Sequence, residues 1–223
     1  MKTMFKPLVF VIGDSISIQY GPFLEKYLKG RFLYARKTDT GEAFENLDIP
    51  QGANGGDSSM VLGYLKYNHD KGQLAEADYL LINCGLHDIK TNPESGHRQI
   101  PPALYRENLD KILSFASHFG RQIVWIRTTP CDDKIHNSRQ QEFYRFKRDV
   151  EEYNRIADEV MNYRAVPIVD LFNFTETLGF EAVLYSDHIH FTVHVQKMQA
   201  AFIAGWLNSF NQQYKWSKYE KTV

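Results

Sequence analysis

Five short apolar runs alternate along this chain with stretches whose apolar residues recur at helical spacing. The runs are Leu8–Ile12, Phe32–Ala35, Ala77–Cys84, Gln122–Thr128 and Val166–Leu171. Short, continuous and rich in β-branched residues, the first reads as a strand buried on both faces, and the others follow it. Between them, helices are expected from near Ser17 or Tyr20 to Leu28, then over about 57–68, 103–119, 141–163 and 193–210. Their inward faces would carry Phe23, Leu24, Tyr27 and Leu28; Met60, Leu62 and Leu65; Leu109, Ile112 and Leu113; Val150, Tyr153 and Ile156; and Met198, Phe202 and Trp206. Strict alternation predicts a parallel sheet covered by helices on both faces, a three-layer α/β/α domain. Five strands suit the flavodoxin-like order 2-1-3-4-5. At 223 residues the chain has room for one such core. We place it over residues 1–213, with the polar segment Tyr214–Val223 as a tail.

Charge and cysteine usage narrow the function. A formal charge of -1 gives no electrostatic case for nucleic acid or an acidic membrane surface. Cys84 and Cys131 each follow an apolar run, so neither a disulfide framework nor metal-type cysteine spacing is present. No run is long enough to span a bilayer, so membrane insertion is not expected. Leu8–Ile12 is also too short for a signal h-region, and the chain as given reads as cytoplasmic.

The ends of the apolar runs carry the chemistry. The first run stops at Gly13-Asp14-Ser15, which delivers a serine to the carboxyl edge of the sheet, where ligands bind in open α/β folds. Ser15 there suits a nucleophile, although Asp14 or Ser15 could equally cap the next helix. Asn54-Gly55-Gly56-Asp57-Ser58 precedes the second helix, Gly85-Leu86-His87-Asp88 follows the third run, and Asp187-His188-Ile189-His190 precedes the last helix. Acyl transfer needs such a set: a nucleophile, a base, and an acceptor that orients the base. Asp187 and His190 stand three apart, so in a tight turn the carboxylate can take the Nδ1–H and leave Nε2 facing Ser15. Gly56, without a side chain, can bring its N–H close to developing charge.

In this order and at these positions the motifs resemble those of the SGNH, or GDSL-type, hydrolases, and the likeness spans essentially the whole domain. Gly13-Asp14-Ser15 matches the first block, with Ile16 where leucine is usual. Gly56 matches the second, with Gly55 as an alternative, and Asp187 and His190 match the last. The third block departs: His87 stands where the family carries an oxyanion-hole asparagine. The resemblance implies the SGNH hydrolase fold, a Ser15–His190–Asp187 triad and an oxyanion hole from the N–H groups of Ser15 and Gly56. An imidazole can donate a hydrogen bond as an asparagine amide does, so His87 is the third expected donor. Asp14 and Asp88 are expected to hold loops by accepting backbone N–H groups.

The expected activity is hydrolysis of small carboxylic esters through an acyl-enzyme, without a cofactor. Short-chain or O-acetyl esters of carbohydrates are favoured because the segments 36–56 and 129–140 are polar and no long apolar lid is present. Thioesterase or lysophospholipase activity and a non-hydrolytic carbohydrate-binding descendant are the alternatives. Asp187, His188, His190 and His194 could also be read as metal ligands, but that leaves Gly-Asp-Ser unexplained. His69, His97, His118 and His136 are expected at the surface.

Overall fold

In the computed structural model, which describes residues 6–38, 41–73 and 76–220, the apolar runs form β1 (Leu8–Ile12), β2 (Leu33–Arg36), β3 (Ala77–Ile82), β4 (Gly120–Ile126) and β5 (Ile168–Val169). All pair in parallel in the order β2-β1-β3-β4-β5, as expected. β1 lies between β2 and β3, with Phe10 level with Ala35 on one side and Leu80 on the other. Val9, Val11, Ile12, Leu80, Leu81, Ile82, Val124, Trp125 and Ile126 are all buried, which explains why these strands lack polar alternation. The last strand is shorter than its apolar run. Pro167 has no N–H to give the ladder, and Asp170 turns the chain into a helix by accepting the Asn173 N–H at 3.1 Å.

The principal helices are α1 (Ser15–Leu28), α3 (Ser58–Lys71), α4 (Pro102–Ala116), α6 (Lys147–Tyr163) and α9 (Val193–Glu220). α1 packs on α9, and α4 packs on both α3 and α6, forming the two outer layers. Short helices interrupt the connections: α2 (Glu42–Glu45), α5 (Asp133–Arg139), α7 (Leu171–Glu176) and α8 (Glu181–Leu184).

Several sequence expectations are corrected. α1 begins at Ser15 rather than Ser17 or Tyr20, because Asp14 caps it with its own carboxylate. Tyr27, Met60 and Met198 lie on the outer flanks of their helices, each between 38% and 40% exposed, while Val61 takes the buried place beside Met60. α6 starts at Lys147 rather than Gln141. Residues 141–146 are drawn out of the helix by Tyr144, which exchanges both backbone hydrogen bonds with Thr91 at 2.8 Å. α9 continues through Tyr214 to Glu220, so most of the expected tail is helical; residues 221–223 lie outside the described residues. No helix among the described residues is long and apolar enough to cross a membrane.

Candidate active site

β1 ends at Ile12, and Gly13 and Asp14 turn the chain so that Ser15 becomes the first residue of α1. The Asp14 carboxylate accepts the Ile16 N–H at 3.0 Å and its carbonyl accepts the Ser17 hydroxyl at 2.7 Å. Helix capping and presentation of the serine are therefore divided between neighbours: Asp14 caps, and Ser15 is left at the helix N-terminus, where the macrodipole favours negative charge. Burial raises the Asp14 carboxyl above its ordinary value, with the hydrogen bond from Ile16 and the charge of Arg145 opposing.

The turn before α9 brings the other two expected residues to it. His190 Nε2 lies 2.9 Å from Ser15 Oγ, and His190 Nδ1 lies 2.8 Å from Asp187 Oδ2. Asp187 Oδ1 accepts the N–H groups of Ile189 at 2.8 Å and His190 at 2.7 Å, which fixes the turn by the same side chain that orients the imidazole. Partial burial pushes the Asp187 carboxyl up. The hydrogen bonds from the His190 ring and from both backbone N–H groups outweigh it and hold the group well below the carboxylate range. Ser15 and His190 are buried, whereas the Asp187 side chain is 46% exposed. A hydroxyl, an imidazole and a carboxylate in this chain can pass the serine proton to the ring as the oxygen attacks an acyl carbon.

The second motif is tied to the first by the Gly55 N–H, which donates to Gly13 O at 2.8 Å. Gly56 has φ +70°, a left-handed conformation that favours glycine, and a Cβ there would also push aside the Met60 side chain. Its N–H, expected to face the acyl oxygen, donates to Asn54 Oδ1 at 2.9 Å. Gly85 carries a similar demand, with φ +152° and Thr128 Oγ1 2.3 Å from a built Cβ. After it, His87 is 2% exposed, and its Nδ1 has no hydrogen-bond partner. Burial, reinforced by the charges of Lys90, Arg145 and His190, pushes His87 well below its ordinary value and keeps the ring neutral. Asp88 is fully buried and accepts the Ser58 N–H on both oxygens, at 2.9 and 3.1 Å, joining the third motif to the start of α3. Asp14 and Asp88 thus each accept a backbone N–H at the start of a helix. Burial raises the Asp88 carboxyl to about 7, with the Ser58 bonds opposing.

Sequence reasoning missed a second histidine chain. His136, expected at the surface, is 0% exposed, because α5 turns it inward against His188. His136 Nδ1 lies 2.9 Å from His188 Nδ1, and His188 Nε2 lies 3.0 Å from Asp48 Oδ2. Burial lowers His136 to about 3, so its ring is neutral. The polarity that satisfies the chain is His136 Nδ1–H to His188 and His188 Nε2–H to Asp48, an assignment made from the hydrogen bonds. Asp187, His188, His190 and His194 do not converge: His188 turns to Asp48, His190 to Ser15, and His194 is exposed. Among the described residues no group of three or more His, Cys, Asp or Glu is placed to hold a metal ion.

Arg145 was also missed. It is 2% exposed and its Nε donates to Leu86 O at 2.7 Å, pinning the residue before His87. Beside these elements lies a cleft of about 750 Å³ lined by Asp48, Lys90, Asn92, Gln99 and Phe143, among others. Asp48 joins it to the Asp187–His190 turn, and Lys90 joins it to His87, whose carbonyl accepts the Lys90 N–H at 3.3 Å.

Comparison with known proteins bears on this geometry. Among proteins with curated descriptions, none matches the chain in sequence. Solved structures share its fold at low identity. A lipase/acylhydrolase from Enterococcus faecalis aligns with TM-score 0.58 and 17% identity, over 91% of this chain and 96% of that one. An α/β hydrolase from the metagenome of Lake Arreo gives TM-score 0.65 and 16% identity, over 90% and 95%. An acetylxylan esterase from Geobacillus stearothermophilus gives 0.59 and 13%, over 91% and 94%. The family model described as GDSL-like lipase/acylhydrolase matches residues 11–197, from the end of β1 into α9, and so takes in every motif described above. This chain belongs to the GDSL-like lipase/acylhydrolase family.

Proposed function

We propose that the protein is a serine esterase that cleaves short-chain or O-acetyl esters of carbohydrates through an acyl-enzyme. The observation that carries the reading is the unbroken Ser15–His190–Asp187 chain, with contacts of 2.9 and 2.8 Å. Ser15 Oγ attacks the ester carbonyl while His190 Nε2 takes its proton, and Asp187 stabilises the imidazolium. His190 then returns that proton to the leaving alcohol oxygen. In the second half His190 takes a proton from water, the hydroxide oxygen adds to the acyl carbon, and the proton returns to Ser15 Oγ as the acid leaves. The oxyanion is received by the N–H groups of Ser15 and Gly56 and by neutral His87. For Gly56 the oxyanion competes with Asn54 Oδ1, which makes it the weakest of the three donors.

The substrate class rests on the cleft wall, where Asn92, Gln99 and Gln140 offer amides, a lining suited to hydroxyls rather than to a long acyl chain. A chain-length panel of nitrophenyl esters beside acetylated xylan tests this reading. Expected is hydrolysis that falls off with acyl length, together with acetate release from the xylan and fluorophosphonate labelling at Ser15. A folded protein that neither labels nor hydrolyses any of these esters overturns it in favour of a carbohydrate binder. A preference for long acyl chains moves it to lysophospholipase.

A further inference from the structure

Two cations stand beside this cleft without a counter-ion. The Lys90 ammonium lies over the Phe143 ring, 4.3 Å from its centroid, and the Arg145 guanidinium lies 4.9 Å from the same centroid. Among the described residues neither has a carboxylate within 4.0 Å, and Arg145 Nη1 is buried with no partner at all. Lys90 is half-buried, but Arg145 is buried, and buried charge is ordinarily paired because the desolvation penalty is otherwise uncompensated. Here burial lowers Lys90 to about 8 and Arg145 to about 10, and Lys90 is lowered further by the charge of Arg145. The acidic groups that face Lys90 are Asp48, Asp57 and Glu142, and each is committed or remote. Asp48 is held by His188, and Asp57 caps α3 and accepts Gln99 Nε2. Glu142 sits on the exposed rim.

We propose that the missing counter-ion is part of the substrate: the cleft takes an acetylated acidic sugar whose ring carboxylate is held by Lys90, with Arg145 beside Phe143 adding to the positive field. The surrounding amides of Asn92, Gln99 and Gln140 serve the sugar hydroxyls, which favours a uronate-type ring over an anionic lipid. Lys90 follows His87 by one short turn, and the proposal places the carboxylate of the ester-bearing ring at Lys90 while the acetyl group lies at Ser15. This inference rests on the esterase reading and assigns its substrate class.

The test compares kcat/KM for an O-acetylated methyl glucuronide and the matching O-acetylated methyl glucoside. Wild-type protein is expected to prefer the acid by about 10- to 100-fold, the scale of one charge-assisted hydrogen bond. Lys90→Met should bring that ratio close to one, and Lys90→Arg should keep most of it, which a purely structural role for the side chain would not do. Equal rates on the two esters in wild-type protein overturn the inference, as does an unchanged ratio in Lys90→Met. An O-acetylated sugar phosphate forms a third arm, and a stronger preference for it overturns the carboxylate assignment. Calorimetry of glucuronate on Ser15→Ala separates the two readings. Glucuronate binding without hydrolysis of any ester rejects the esterase alone, whereas hydrolysis with no acid preference and no glucuronate binding rejects this inference alone.

Discussion

At the scale of single residues, the Ser15–His190–Asp187 hydrogen-bonded chain was legible because each member sits inside a short motif and the turn geometry is local. Asp187 reaches His190 across three residues, and Asp14 caps the helix that Ser15 begins. Asp187→Asn should lower kcat by a factor on the order of 10⁴, since an amide no longer holds the ring in the required tautomer, with KM little changed. His87 is the more informative site. His87→Ala should cost about 10²–10³ in kcat, the usual effect of losing one oxyanion donor, while His87→Asn should restore most of it. Turnover of His87→Ala within a few-fold of wild type would remove His87 from the oxyanion hole. What could not be read were Asp48, Lys90, His136 and Arg145. Each is an ordinary loop or helix residue whose partner lies far away in sequence, such as the 140 positions between Asp48 and His188. Isolated histidines and lysines carry no signal of burial, and only the fold supplies it.

The elements were legible where apolar periodicity was strong and blurred where polar atoms set the boundary. The start of α6 was misplaced because Phe146, its N-cap, offers no capping side chain and the residues before it pair with Thr91. α5 and α7 are short, and their signals are single aspartates, Asp132 and Asp170, each accepting an N–H three residues on. The N-terminus of α3 shows how such polar ends support the site. Asp57 Oδ1 accepts the Met60 N–H, Asp88 takes that of Ser58, and Asn108 Nδ2 donates to the hydroxyls of Ser58 and Ser59, both at 2.9 Å. Asp57→Ala should destabilise the protein by about 1 kcal/mol through loss of the cap, measured by urea unfolding. In the sheet beneath, Leu81→Ala should cost about 2–5 kcal/mol, because the side chain is fully buried and the strands around it cannot close the gap.

For the whole molecule, two kinds of buried group set opposite pH trends. His136 is lowered to about 3 when folded and titrates near 6.5 when unfolded, so stability falls as pH drops from about 6.5 towards 3. Asp88 is raised to about 7 against about 3.9 unfolded, so it contributes a gain as pH falls from about 7 towards 4. Urea midpoints at about pH 7.5 and 5 should therefore show a smaller acid loss in His136→Gln than in wild type, and a larger one in Asp88→Asn. The alternation of strands and helices made the sheet order readable, but it says nothing about which distant side chains end up sharing a buried volume. One consequence of the layout concerns time rather than space. Ser15 and His190 are 175 residues apart and meet only when α9 docks against α1. During synthesis Ser15, Gly56 and His87 all emerge before His190, the base proposed to activate the serine. Esterase activity should thus appear only after the last helix has left the ribosome and closed onto the first, making turnover a direct reporter of the final docking step in folding.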